Sequence, residues 1–217
     1  MLDGGGISNT GTLAVSHSVI IGNHADFYGG GISSTGTLTI TNSTVRYNSS
    51  GSSGGGQSGF GGGIYNGGMA VIVSSTIDNN VADAENHSSL GGGVYSPNPD
   101  SLTVSNSTIS QNVAFVFGGA IFGGGNITNC TISGNIADYG GGIYVTGPLK
   151  IGNTILDSDA DGSNILNDGG TVTSHGYNVS SDNGGGFLTA PGDQINIAPM
   201  LGPLQNNGGP TFTHAAI

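Results

Sequence analysis

Basic residues are nearly absent from this chain. Its 217 residues include Lys+Arg 2 against Asp+Glu 13, for a formal net charge of -11. Neutralising a phosphate backbone takes clustered Lys or Arg, so nucleic acid is not expected as a partner. Arg46 and Lys150 stand alone and cannot form a patch for anionic lipid headgroups. Tryptophan is missing and cysteine occurs once, at Cys130. An internal disulfide is therefore impossible, and the redox compartment stays open. No run of about 20 apolar residues exists to span a bilayer as a helix, so direct membrane insertion is not expected. Met1-Leu2-Asp3-Gly4 does not open a basic segment followed by an apolar one, so any export signal is expected to lie outside this chain.

Glycine is abundant, with 44 residues, roughly three times ordinary usage. It falls in a repeat. Gly4-Gly5-Gly6-Ile7 returns as Gly29-Gly30-Gly31-Ile32, Gly61-Gly62-Gly63-Ile64, Gly91-Gly92-Gly93-Val94, Gly118-Gly119-Ala120-Ile121 and Gly140-Gly141-Gly142-Ile143. A second motif follows each cluster: His17-Ser18-Val19-Ile20, Asn42-Ser43-Thr44-Val45, Ser74-Ser75-Thr76-Ile77, Asn106-Ser107-Thr108-Ile109, Asn129-Cys130-Thr131-Ile132 and a shortened Gly152-Asn153-Thr154-Ile155. Ser18, Ser43, Ser75, Ser107, Cys130 and Asn153 are separated by 25, 32, 32, 23 and 23 residues, a period of about 23 with insertions in two repeats. Five residues after most of them stands an asparagine: Asn23, Asn48, Asn80, Asn112 and Asn135.

Within a repeat, apolar and small polar residues alternate, as in Thr37-Leu38-Thr39-Ile40-Thr41 and Ser101-Leu102-Thr103-Val104-Ser105. Period two indicates strands, and glycine, asparagine and β-branched residues disfavour helix. One repeat cannot bury its own apolar residues. Stacking repeats at the strand spacing of about 4.8 Å does so and gives a solenoid of parallel sheets. Three aliphatic columns are then expected to face inward: Ile7, Ile32, Ile64, Val94, Ile121 and Ile143; Val15, Ile40, Ile72, Val104 and Ile127; Ile20, Val45, Ile77, Ile109, Ile132 and Ile155. The expectation is an all-β parallel β-helix of about six coils over residues 1–155. Residues 156–217, where the repeat decays and prolines appear, are expected to form a last irregular coil and a tail packed along the solenoid.

The paired Gly-Gly-Gly-Ile and Ser-Thr-Ile-x-x-Asn motifs resemble those of polymorphic outer membrane proteins and related bacterial surface proteins. Ser174-His175-Gly176-Tyr177-Asn178, Leu201-Gly202-Pro203-Leu204, Asn207-Gly208-Gly209-Pro210-Thr211 and Thr213-His214-Ala215 are similar to the end of "choice-of-anchor Q" proteins. This resemblance covers nearly the whole chain. It implies a right-handed, pectate-lyase-like β-helix, export to the extracellular or bacterial cell surface, and a structural or adhesive role, and it brings no catalytic residues. Such proteins usually continue beyond the Thr-His motif towards an anchor, so one module of a larger protein is expected.

β-Helices also include lyases and glycoside hydrolases, so a polysaccharide-active enzyme is the alternative. A lyase wants a base beside cation-binding acids, whereas Arg46 and Lys150 fall in distant repeats. A hydrolase wants two carboxylates flanking one bond, and the nearest approach to a Gly-His-Gly segment, His175-Gly176, lacks them; Glu85 is the one glutamate. Asp157, Asp159, Asp161 and Gly162 with Asp168 match a D-x-D-x-D-G calcium loop closed by an acid at its twelfth position. Asn164 stands where such loops prefer an aliphatic, and a solvated acidic corner accounts for the run somewhat better. Calcium is the only cofactor indicated, with those four aspartates as its ligands. Aromatics precede the glycine clusters at Tyr28, Phe60, Phe117 and Tyr139 and follow them at Tyr65, Tyr95, Phe122 and Tyr144. Self-stacking is the favoured reading, with a sugar-binding platform as the other. His17, His24, His87, His175 and His214 show no metal spacing and read as surface or tail residues. A cell-surface or polysaccharide ligand is not identified by any motif. Bare terminal coils also allow end-to-end association into a filament.

Overall fold

The computed structural model describes residues 4–52, 58–83, 88–158 and 163–217. A coil consists of four short strands; the second runs Ile32–Ser34, Thr37–Thr41, Thr44–Arg46 and Ser49–Ser50. Each strand pairs in parallel with its equivalents one coil before and one coil after. The chain is therefore a parallel β-helix.

Left-handed residues turn the corners. Before the third strand of each coil stand His17, Asn42, Ser74, Asn106, Asn129, Asn153 and Tyr177, with φ from 47 to 57°. Gly22, Tyr47, Asn79, Gln111 and Gly134 turn the next corner, with φ from 51 to 69°. Asn and Gly tolerate this conformation best, so it explains why the repeat reads Asn-Ser-Thr. The glycine clusters make the last corner, and each position has its own reason. Gly29 has φ +60°, and a Cβ on Gly30 would lie 2.2 Å from the carbonyl oxygen of Ser49. The third position faces the buried asparagine of its coil and is less crowded, a Cβ on Gly93 lying 2.7 Å from the Ala120 carbonyl oxygen and 3.2 Å from the Asn112 amide. Only there does a repeat carry alanine, at Ala120.

The aliphatic columns face inward as expected. Ile32, Ile64, Val94, Ile121 and Ile143 are fully buried, and Ile165 extends their column to a seventh coil. Ile151 extends the second column. Each isoleucine buried in this way contributes about 1.5–3 kcal/mol relative to exposure. Two assignments need correction. Leu156, not Ile155, continues the third column, pairing with Ile132. Thr154, not Asn153, continues the serine column, its Oγ1 facing the Cys130 amide. The strand Ile143–Gly152 takes up two extra residues where the pairing passes from Gly123↔Val145 to Gly125↔Leu149. A period of 23 counted from Cys130 therefore lands one residue short.

A fourth, smaller column is added by Ala25, Ser50, Ala82 and Ala114, with Ala137 beyond. Past Ile155 the ladders continue through Ile165–Asn167, Thr171–Ser174, Val179–Ser180 and Gln194–Ile195. Leu201–Gln205 and Thr213–Ala216 then form an antiparallel hairpin. It lies on the outer face of the 8-stranded sheet built from the third strands of the coils: Thr76 Oγ1 donates to the Phe212 carbonyl at 2.7 Å, and Ser110 Oγ meets His214 Nε2 at 3.0 Å. Beneath it, outward residues Thr76, Asp78, Thr108 and Ser110 are buried.

Candidate functional site

Two polar ladders run along the corners. In the first, each backbone N–H donates to the side-chain oxygen of the next coil: Ser18 to Ser43, Ser43 to Ser75, Ser75 to Ser107, Cys130 to Thr154 and Thr154 to Asn178. The last acceptor is Asp193, which receives the Asn178 amide at 2.9 Å. Burial pushes the Asp193 carboxyl up, but hydrogen bonds from Ser174, Asn178 and Ala190 outweigh it and hold the pKa below the ordinary value. In the second ladder Asn23, Asn48, Asn80, Asn112 and Asn135 are linked side chain to side chain at 2.9 to 3.0 Å. Each of the inner amides also donates to a carbonyl of the preceding coil, Asn80 to Val45 for instance. Sequence reading located both series but not the acidic end at Asp193.

The aromatic residues form a double column. Tyr65, Tyr95, Phe122 and Tyr144 stack successively at 5.0 to 5.5 Å with interplanar angles of 10 to 20°. The flanking rings interlock with them, Tyr28 against Tyr65 and Phe117 against Tyr144, both at 4.6 Å. Stacked rings cover one another's faces, so self-stacking, the favoured reading, is what these columns do. Leu90 interrupts the outer column between Phe60 and Phe117.

Two of the four candidate cation ligands lie among the described residues. Asp157 ends Ile155–Asp157 in the 8-stranded sheet built from the third strands of the coils, whereas Asp168 follows Ile165–Asn167 in the 12-stranded sheet. Asp168 accepts the Tyr144 hydroxyl at 2.6 Å. Burial first, and then the hydrogen bond and charge of Asp168, push the Tyr144 phenol up to about 12. Asp159 and Asp161 lie outside the described residues, as do Glu85 and His87. Asn164 is buried as a hub, donating to Leu156 and to Asp182 Oδ1 at 3.0 Å. Among the described residues no three His, Cys, Asp or Glu side chains gather as a metal site.

Arg46 does not stand free. Its guanidinium pairs with Asp78 at 3.1 Å beneath the hairpin, with the Tyr47 ring at 4.6 Å and the Phe212 ring at 5.5 Å. Asp78 is fully buried, and that burial raises its pKa despite the Asn79 hydrogen bond and the Arg46 charge. Lys150, His17, His24 and His175 are exposed. His214 is half-buried in the hairpin, its ring bridging Ser110 and the Gly202 carbonyl. Cys130 is buried, and burial pushes its thiol up to about 11, which disfavours the nucleophilic thiolate.

On the fourth side of the coils lies an open concavity of about 530 Å³, bordered by Phe115, Asp138 and Tyr139. Sequence reading did not single out Phe115 or Asp138. No family model, curated protein or solved structure matches the chain.

Proposed function

We propose that the chain is a non-catalytic structural and adhesive module of an exported bacterial cell-surface protein. The observation that carries this reading is where the charged groups go. Arg46 and Asp78 neutralise each other under the hairpin, Asp168 holds Tyr144, Asp182 accepts from Asn164, and Asp193 ends a polar ladder. Lys150 stands in solvent. Carboxylate catalysis of glycoside cleavage needs two acids facing one bond, and Asp78, Asp168, Asp182 and Asp193 are each engaged by partners within the fold. The continuous ladders and stacked rings favour a stiff rod that displays a surface. The exported, cell-surface part of the proposal rests on the motif resemblance. Incubation with pectin, alginate and chitin tests it: retention of a polysaccharide without new products is expected. New reducing ends or unsaturated products would favour the enzyme instead.

A further inference from the structure

The residues that follow the alanine column open the outer turn of each coil: Asp26, Gly51, Asp83, Phe115 and Asp138. Pairing of Ala82 with Ala114 and of Val113 with Ile136 places Asp83, Phe115 and Asp138 at one register position on three successive coils. The two acidic positions are thus about 10 Å apart, two strand spacings, with a ring position between them. Phe115 and Tyr139 are each 52 % exposed. Among the described residues Tyr139 makes one ring contact, tilted against Phe117 at 5.4 Å, and Phe115 joins no ring pair. Free ring faces are what the stacked columns lack. They border the 530 Å³ concavity, whose floor is Val113, Ala114 and Ala137 and whose acid is Asp138.

Rings with open faces bind the C–H face of a pyranose or a cation, and a carboxylate beside a ring selects a cation that also donates hydrogen bonds. The net charge of -11 attracts cationic polymers over the whole surface. We propose that this concavity binds a protonated amino sugar within a glucosamine-type polysaccharide, with the ammonium at Asp138 beside Phe115 and a sugar face on Tyr139. The proposal rests on the adhesive reading and names its ligand class. A lysine side chain would satisfy Asp138 but has no flat face to place on Tyr139. The two-coil spacing from Asp83 to Asp138 also suits a chain of pyranose units running along the solenoid axis.

Isothermal titration of the whole chain with a glucosamine hexamer, at mildly acidic pH and low salt, tests this. The N-acetylglucosamine hexamer and a lysine hexamer serve as comparison probes. The glucosamine hexamer is expected to bind more tightly than either, and added salt to weaken it. Phe115→Ala with Tyr139→Ala should weaken binding about tenfold, and Asp138→Asn should abolish the preference over the acetylated hexamer. All three side chains are exposed, so the variants should still melt cooperatively with only small shifts in midpoint, confirming that they fold. Equal binding of the acetylated hexamer, equal or tighter binding of the lysine hexamer, or unaltered affinity in the variants would each overturn the proposal. If the glucosamine hexamer fails while pectin, alginate or chitin is retained, this site falls and the adhesive reading stands. If no polysaccharide is retained at all, the adhesive reading fails as well.

Discussion

Asn112 shows how one side chain ties three coils together. Its amide donates to the Ile77 carbonyl of the coil before and to Asn135 of the coil after, while its oxygen accepts from the Asn80 side chain and backbone. Asn112→Ala leaves several buried groups without partners, each of which costs free energy. A loss of about 2–3 kcal/mol is expected in urea denaturation, and a smaller one for Asn23→Ala at the first rung. Arg46 is the second residue-scale test. Arg46→Ala leaves Asp78 buried and unpaired, a change that typically costs about 3 kcal/mol or more. The loss is capped by the free energy of lifting the hairpin. Replacing both by apolar residues of similar volume should restore most of it. Sequence reading found the asparagines through their constant offset from the serines. It could not find Arg46 with Asp78, because their contact depends on the register of adjacent coils and on a tail more than 130 residues away in the chain.

Among the elements, the regular strands were legible and the irregular ones were not. Aliphatic residues recurring after glycine clusters disclose inward columns, since only a stacked core gives them a common environment. The alanine column escaped notice because a residue that small carries little hydrophobic signal, although Ala82, Ala114 and Ala137 each stand two places after a ladder asparagine. The extra residues in Ile143–Gly152 were invisible because a bulge absorbs them without a break in composition. The C-terminal coil makes a pH prediction. Asp193 and Asp182 both have carboxyls lowered from 3.8, burial being outweighed by hydrogen bonds. Their contribution is fully present above that unfolded-state value and is lost as pH falls through the lower native pKa. Asp78 has the opposite sign. Its raised pKa means that ionisation opposes folding, and the penalty disappears as pH falls through that raised value. Acidification should therefore loosen the coil of Asn178 and Asp193 while leaving the third and fourth coils protected. Hydrogen-exchange protection of the Asn178 amide should drop in acid relative to Ile77, and Asp193→Asn should remove that acid dependence. Protection that falls equally in both coils would contradict the assignment.

At the scale of the molecule, coils repeat one contact scheme along an axis, so stability accumulates between neighbours. Ile109→Asp would place an unpaired carboxylate in the third column, where a cost of several kcal/mol is expected. Circular dichroism melts of that variant should show a large fall in midpoint. The rod leaves function to its outer surface, and there the sequence was least informative. Tyr139 was visible as one member of an aromatic series, but its 52 % exposure could not be read from that series. Phe115 and Asp138 acquire a common site only through the pairing of successive coils. Of the acidic run that begins at Asp157, the strand Ile155–Asp157 and the strand before Asp168, Ile165–Asn167, belong to different sheets.

The most direct test of the functional account is one incubation read two ways. The intact chain is mixed with pectin, alginate and chitin, then assayed for polysaccharide retention and for released reducing ends and unsaturated products. Retention of at least one polymer with no product above the protein-free control is the expected result. Reproducible product formation that scales with protein concentration would contradict the account.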